Sequence, residues 1–384
     1  MIHPAHEYDF QNLYAALHDE ISAGAVFKTT SHDGLELFCY TRQCTYDRMW
    51  NDVNKLARGL IIDPVEQYIV ATPFPKFFNL GERSVTPVDQ MAASLALPFE
   101  AFEKLDGSLI IIFNHNGQWR CATKGSFVSD QAKWAKAELD KTGFDLNWLD
   151  PHTTYLCEAV YAANRIVINY QFEGLVLLAA YTTGGYEASY DYLQSVSNTL
   201  GWCLARRYDH KLIEAIVDIA AGLNDQDEGF VIRFDDGFRI KIKGAEYCRV
   251  HRLVSNLTPL SIWELLCEGN MNKITDNRFL IPEEFWADFD RMYELIEAQV
   301  KVIVDDVAAS EKEACKLTDK ELGLSLHTYP DHVRKLIFPM RKHGTILRGR
   351  SREVLYRMVR PTGNVLAGYV PGARLNKLME EIDT

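Results

Sequence analysis

The sequence predicts an α+β protein in two parts, and three observations carry that expectation. Over the first 250 or so residues, short β-rich runs come in pairs joined by hairpin turns. From about residue 250, apolar residues recur at helical spacing instead. The length, 384 residues, is also more than one ordinary core accommodates. With 47% hydrophobic and 24% charged residues the chain reads as soluble and globular. It has no apolar run of the about 18 residues that a membrane span needs, and no charged-then-apolar leader. Cysteines 39, 44, 121, 157, 203, 248, 267 and 315 are scattered without a Cys-x-x-Cys pair, as reduced thiols in a cytoplasm would be. A net charge of −12 argues against adhesion to nucleic acid by the whole surface, so any such contact must be local.

The first expected element is an amphipathic helix carrying Leu13, Leu17 and Ile21. The Asp33-Gly34 turn then joins two β-rich runs, Val26 to Thr30 and Leu35 to Tyr40. A second pair, Leu60 to Ile62 and Tyr68 to Val70, is introduced by Arg58-Gly59. Next comes Pro75-Lys76-Phe77-Phe78-Asn79-Leu80, a lysine among aromatics. A stem snorkelling over a core edge would look the same.

The chain is organised around Glu103-Lys104-Leu105-Asp106-Gly107-Ser108, directly ahead of the apolar run Leu109 to Phe113. Such a run reads as a strand buried on both faces. A lysine beside an Asp-Gly turn at its mouth is oddly placed for a solvated cation and has the setting of a nucleophile, although Asp-Gly is also a common hairpin turn. The strand returns through His115-Asn116-Gly117 into Trp119 to Thr123 and ends at Lys124-Gly125-Ser126, a lysine with a flexible glycine and a hydroxyl, as a phosphate contact requires. After a helix from about Ser129 to Leu139, the run Tyr155 to Val160 places one carboxylate, Glu158, in an otherwise apolar strand. A charge there is costly unless it is paired or coordinates a metal. Asn164-Arg165-Ile166-Val167 and a further buried strand, Leu175 to Tyr181, follow.

The runs Asp227 to Phe234 and Phe238 to Lys243 are joined by Asp235-Asp236-Gly237. A period of two puts Arg239, Lys241 and Lys243 on one face and Phe238, Ile240 and Ile242 on the other. Three cations in a row beside Glu228-Gly229 suggest an anion site, where the ordinary reading is a solvated sheet face. Beyond residue 250, Phe285, Phe289, Met292, Ile296, Val300, Ile303 and Val307 make one helical stripe after Pro282, which reads as core. Pro330 opens another helix, and from Asp331 to Arg360 nine Lys or Arg stand against two acids. That stretch is either a local phosphate-binding surface or a solvated helix face.

In this order the pieces resemble the covalent nucleotidyltransferases, and within them the ATP-dependent RNA ligase 1 family typified by the T-even bacteriophage enzyme. Lys104-x-Asp106-Gly107-Ser108 matches the family's nucleophile motif, and Lys124-Gly125-Ser126 the next. Glu158 in Cys157-Glu158-Ala159-Val160 matches the third, Glu228-Gly229 the fourth and Lys241-Ile242-Lys243 the fifth. Ala57-Arg58-Gly59, Lys76-Phe77-Phe78-Asn79-Leu80 and Asn164-Arg165-Ile166-Val167 match elements peculiar to this branch. The match runs from about Tyr40 to about Tyr247. It implies an antiparallel-sheet, ATP-grasp-like nucleotidyltransferase domain over residues 1–250 and an all-helical C-terminal RNA-specificity domain over 251–384.

The resemblance also implies a chemistry. Lys104 attacks the α-phosphorus of ATP, AMP passes to an RNA 5′-phosphate, and an RNA 3′-hydroxyl displaces AMP to seal the strand. The ATP site would comprise Tyr40, Arg58, Lys76, Lys104, Asp106, Gly107, Lys124, Glu158, Glu228, Lys241 and Lys243. In it Tyr40 and Arg58 face the nucleotide, Lys76 reaches the outer phosphates, and Lys241 and Lys243 grip the α-phosphate. Glu158 and Glu228 would orient the ribose or hold Mg²⁺, with Mn²⁺ as the alternative. To act at pH 7, Lys104 must lose roughly two to three units from a free-lysine pKa of about 10.4. Lys124, Lys241, Lys243 and the metal are expected to supply the positive field. Where relatives stack adenine on an aromatic, this chain offers aliphatic Leu175 to Leu178, with Phe172 and Tyr181 as substitutes; Asn272 stands where the phage enzyme has an aspartate. By analogy the partner is RNA with 5′-phosphate and 3′-hydroxyl ends, extending to a nicked tRNA anticodon loop. A monomer in the cytoplasm, the host's if phage-encoded, is expected. The rivals are a DNA ligase or GTP-using capping enzyme, disfavoured by helices where an oligonucleotide-binding barrel would follow Lys243, and a catalytically silent RNA-binding protein, disfavoured by the intact charged set.

Overall fold

The computed structural model describes residues 1–82, 97–141, 146–165, 167–269, 274, 277–278, 281, 285–363 and 365–372; Ile166, Asn272 and Pro282, named above, lie outside them. The chain divides into two compact units, one over Met1–Arg249 and a second beginning at Val250. No helix among the described residues is long and apolar enough to cross a membrane.

The first unit opens with the helix Phe10–Ser22, whose N-cap Asp9 accepts from the Gln11 amide and whose Leu13 and Leu17 are buried. Strands β1 (Val26–Thr30), β2 (Glu36–Tyr40), β3 (Arg58–Asp63) and β4 (Tyr68–Ala71) form an antiparallel meander. A second sheet is built from β7 (Ser108–His115), β8 (Gln118–Ala122), β9 (Thr153–Val160), β10 (Gly174–Thr182) and β11 (Cys203–Leu204), in the order β11-β10-β9-β7-β8. The third uses β5 (Phe78–Asn79), β6 (Phe99–Glu103), β12 (Arg207–Tyr208), β13 (Gly229–Phe234) and β14 (Arg239–Lys243), in the order β12-β6-β13-β14-β5. Pairing is antiparallel apart from the two-residue parallel contacts β10–β11 and β14–β5.

Strand β7, inside the second sheet between β9 and β8, shows why its isoleucines run together. Ile111 and Phe113 pack with Leu37, Cys39 and Ile61 of the meander. Ile110 and Ile112 point the other way and pack with Ala135, Leu139, Leu193 and Leu200 from the helices Asp130–Lys141 and Tyr190–Leu200. Each aliphatic side chain buried in this way contributes about 1.5–3 kcal/mol. Both faces of β7 are therefore anchored, and the polar turn that leads into it is held at a fixed edge. The hairpin to β8 closes through Asn116 and Gly117, both with positive φ (52° and 76°), as the tight two-residue turn demands.

In the third sheet, Phe230, Ile232, Ile240 and Ile242 pack with Ile216 and Ala220 of the helix Ile213–Ala221, which leaves the opposite face to Lys241 and Lys243. In the second unit the helix Trp286–Ala314 buries Phe289, Met292, Ile296, Val300 and Val307 of the expected stripe, with Phe285 buried at its N-cap and Ile303 half-buried, and Asp331–His343 starts after Pro330 as expected. No β-strand follows Lys243 among the described residues. The basic stretch, however, is divided in its tasks. Arg352 donates to the carbonyls of Leu266 and Cys267, closing the C-terminus of the helix Pro259–Glu268, and lies over the Tyr356 ring. Arg341 is held by Glu311, Asp319 and two carbonyls. Arg334 and Lys335 pair with Asp331, and Arg360 lies over Trp263. Lys342, Arg348, Arg350 and Arg357 remain exposed.

Candidate active site

The nucleophile candidate stands where two sheets meet. Lys104 directly follows β6, and its amide donates to the Gly229 carbonyl of β13 at 2.9 Å. That crossing is possible because residue 229 is glycine: φ is +133°, and a Cβ there would lie 2.1 Å from the Ile242 carbonyl oxygen. The Lys104 ammonium sits 2.8 Å from Glu228 Oε2, and Lys243 sits 3.0 Å from Glu228 Oε1. One carboxylate, 3% exposed, thus bridges two lysines.

The field of this cluster differs from the one expected of it. Burial alone would depress Lys104, but the carboxylates of Glu228 and Glu158 outweigh burial and hold its pKa above the usual lysine value. The expected fall is therefore not a property of the protein by itself; it needs these carboxylates to be engaged elsewhere. Burial would likewise raise Glu228, yet Lys104 and Lys243 hold it below the usual range. Glu158, on β9 between Leu109 and Val176, is pushed up to about 8 by burial, with Lys104 pulling the other way and Glu228 reinforcing it. Lys241 is held well below the lysine range by burial and then by Lys104, Lys243 and Lys76.

A second group gathers on the Tyr40 ring at the end of β2. Lys76 Nζ lies 4.9 Å and Lys124 Nζ 5.8 Å from its centroid. Arg58, at the start of β3, rests 5.7 Å over Phe77, and its Nη1 is buried without a hydrogen-bond partner, a donor facing nothing in the protein. Gly59 (φ +95°) lets this strand approach the Lys124 backbone just beyond β8, since a Cβ there would lie 2.9 Å from Lys124 Cα and 2.5 Å from Ile111 Cδ1. Lys76 adds to the field on Lys241 and Arg58 to that on Glu158, so both groups act on one place.

Other expected site residues serve the scaffold. The Asp106 carboxylate accepts from the amides of Val167 and Ile168 at 2.8 and 2.9 Å and from the Tyr247 hydroxyl at 2.9 Å, and its own amide donates to Tyr170 Oη. Both oxygens thus accept within the protein, and the carboxylate holds the turn that carries Lys104. Gly107 is required by β9, as a Cβ would lie 2.5 Å from the Ala159 carbonyl oxygen. Asn164 ties Ser108 to that carbonyl. Arg239 leaves the expected cation row, because Glu187 pairs with it and with Arg233. Tyr181, a candidate adenine platform, is buried, with its hydroxyl donating to Glu187. Phe172 is exposed beside Tyr170, while Leu178 is half-buried next to Leu105, Val160 and Val176. Tyr247, Tyr170 and Trp50 are contributors that spacing did not reveal, since each acts through a ring or hydroxyl brought in by the fold.

Glu158 has no hydrogen-bond or ion-pair partner among the described residues, and with Glu228 it offers hard oxygen donors of the kind Mg²⁺ prefers. No group of three His, Cys, Asp or Glu stands together among the described residues. A cation here would complete its shell with water or with oxygens of a ligand.

A family model described as RNA ligase matches residues 56–247, half of the chain. The chain belongs to the RNA ligase family. Among its relatives, a protein of Autographa californica nuclear polyhedrosis virus named as a bifunctional polynucleotide kinase/RNA ligase is 27% identical over 238 residues, 55% of this chain and 33% of that protein. This chain thus spans a third of that relative's length. An RNA ligase of Rhodothermus phage RM378 is 24% identical over 316 residues, 65% of this chain and 70% of that one. Of solved structures, an archaeal ATP-dependent RNA ligase aligns over 98% of both chains at 13% identity with a TM-score of 0.48.

Proposed function

We propose that the protein is an ATP-dependent RNA ligase that joins a 5′-phosphate to a 3′-hydroxyl through AMP carried on Lys104. The observation that carries this reading is the Glu228 carboxylate shared by Lys104 and Lys243. Lys104 Nζ forms a bond to the α-phosphorus while the bond to the β-phosphate oxygen breaks, its electron pair leaving on pyrophosphate. For that the ammonium must first lose a proton. Glu158 and Glu228 would hold the divalent cation, Mg²⁺ or Mn²⁺, whose charge, when bound, neutralises phosphate oxygens. With both carboxylates so engaged, Lys104 loses the groups that favour its ammonium, while Lys241 and Lys243 still oppose it. Arg58 has the free donor for a nucleotide oxygen, Lys124 and Lys76 face the outer phosphates, and the apolar patch around Leu178 suits the base.

The helical unit, residues 251–384, is assigned the choice of RNA, its exposed Lys342, Arg348, Arg350 and Arg357 contacting phosphates; a nicked tRNA anticodon loop is the substrate proposed by analogy. The protein would act as a monomer in a cytoplasm. The test is incubation with labelled ATP or GTP and Mg²⁺, then with 5′-phosphorylated single-stranded RNA and nicked tRNA. An acid-labile, base-stable AMP adduct that Lys104→Ala abolishes, followed by sealing, is expected. AMP on another lysine, or GMP in preference, overturns the assignment.

A further inference from the structure

Lys76 is a cation without an anion. Among the described residues no carboxylate pairs with it. Its ammonium nitrogen lies instead 4.9 Å from the ring of Tyr40, 5.1 Å from Trp50 and 5.5 Å from Phe78. Ring faces carry negative charge density, and the indole carries the most, so three of them hold a buried ammonium where a carboxylate would usually be needed. The aromatic neighbours in sequence do not all take part: Phe77 lies under Arg58. Trp50 makes the cage. Tyr40 comes from the meander and Phe78 from the third sheet, and Trp50 meets both edge-on, at 5.0 and 5.4 Å. Tyr40 and Phe78 are buried while Trp50 is only half-buried, forming the open wall.

We infer that Trp50 is a positioning residue for pyrophosphate transfer: it holds the Lys76 ammonium, uncompensated, for the β- and γ-phosphates of the nucleotide. The inference rests on the ligase reading for its reaction. A lysine tied to a carboxylate would have to exchange one anion for another, whereas a caged lysine has no anion to give up to an incoming polyanion. The contact matters only while pyrophosphate is present. It should therefore count when Lys104 gains AMP and when pyrophosphate reverses that step, and not when a 3′-hydroxyl displaces AMP from an adenylated RNA end.

The experiment compares the parent with Trp50→Leu and Trp50→Phe. Three quantities are measured: binding of inorganic pyrophosphate with Mg²⁺ by calorimetry, adenylation of Lys104 over a range of ATP concentrations, and sealing of pre-adenylated RNA without ATP. Trp50→Leu should weaken pyrophosphate binding about 10-fold, which corresponds to about 1.4 kcal/mol, and raise the KM for ATP similarly. Its sealing of pre-adenylated RNA should stay within about 2-fold of the parent, and Trp50→Phe should restore most of the loss, since a ring is what the contact requires. Unchanged pyrophosphate affinity overturns the inference. So does an equal loss in sealing, which would make Trp50 merely structural. If the parent takes up no AMP, the ligase reading falls, and the pyrophosphate titration, which needs no catalysis, still judges the cage.

Discussion

Replacing Glu228 by glutamine keeps the side chain's shape and removes one charge between two ammonium groups. At 2.8 and 3.0 Å, and with an effective dielectric of about 20, each lysine is attracted to the carboxylate by about 6 kcal/mol. Much of that repays the dehydration of three buried charges. The net loss on breaking such a buried set is about 3–5 kcal/mol. For a unit of this size, at roughly 2–4 °C per kcal/mol, the midpoint of thermal unfolding at neutral pH should drop by roughly 6–20 °C. The pH dependence gives a sharper check. Glu228's folded pKa lies below its ordinary 4.5, so its contribution is full above that value and is lost as pH falls through the lower, folded one. Lys104's folded pKa lies above its ordinary 10.5, so its contribution is full below 10.5 and is lost as pH rises through the folded value. The gap between parent and Glu228→Gln melting curves should therefore be wide from about pH 5 to pH 10 and close at both extremes. Adenylation, measured well below the variant's midpoint, should fall by about 10²–10³. A midpoint shift under about 2 °C, or a gap that persists unchanged into acid, would refute the shared carboxylate.

Two further outcomes follow from named contacts. Gly229→Ala drives a Cβ to within 2.1 Å of a backbone oxygen; it should cost roughly 1–3 kcal/mol in urea unfolding and displace both Glu228 and Lys104, with adduct yield falling at least as far as in Glu228→Gln; normal yield would show that the Lys104 crossing tolerates a shift. Replacing Arg348, Arg350 and Arg357 together by glutamine should flatten the salt dependence of RNA binding by about 0.7 per phosphate contact and leave Lys104 adenylation intact, whereas Arg352→Ala should lower the second unit's melting point; an unchanged slope would make the exposed arginines a solvated face.

Much of the first unit was legible because paired strands lie near each other in sequence: β1–β2, β7–β8 and β13–β14 carry turn residues at the expected places, and β3 and β4 pair as the two runs suggest. β6 and the two-residue β5, β11 and β12 were not, for such strands have no period of their own and take their identity from partners distant in the chain. The helix Tyr190–Leu200 does carry its signals, the N-cap Ser189 and the left-handed Gly201, in a segment the periodicity left unassigned. The charged site residues could be found by motif spacing. Their division of labour could not, because whether Asp106, Arg239 or Arg352 meets a ligand or a neighbour depends on donors and acceptors that arrive from elsewhere in the fold.

The pairing of Arg239 with Glu187 also breaks up a row that the alternating sequence of β14 makes look uniform. The three cations look equivalent along the strand, but Arg239 at one end faces Glu187 and Lys243 at the other faces Glu228, while Lys241 in the middle has no such partner among the described residues. An anion beside the strand therefore finds the outer cations already matched and only the middle one without a carboxylate.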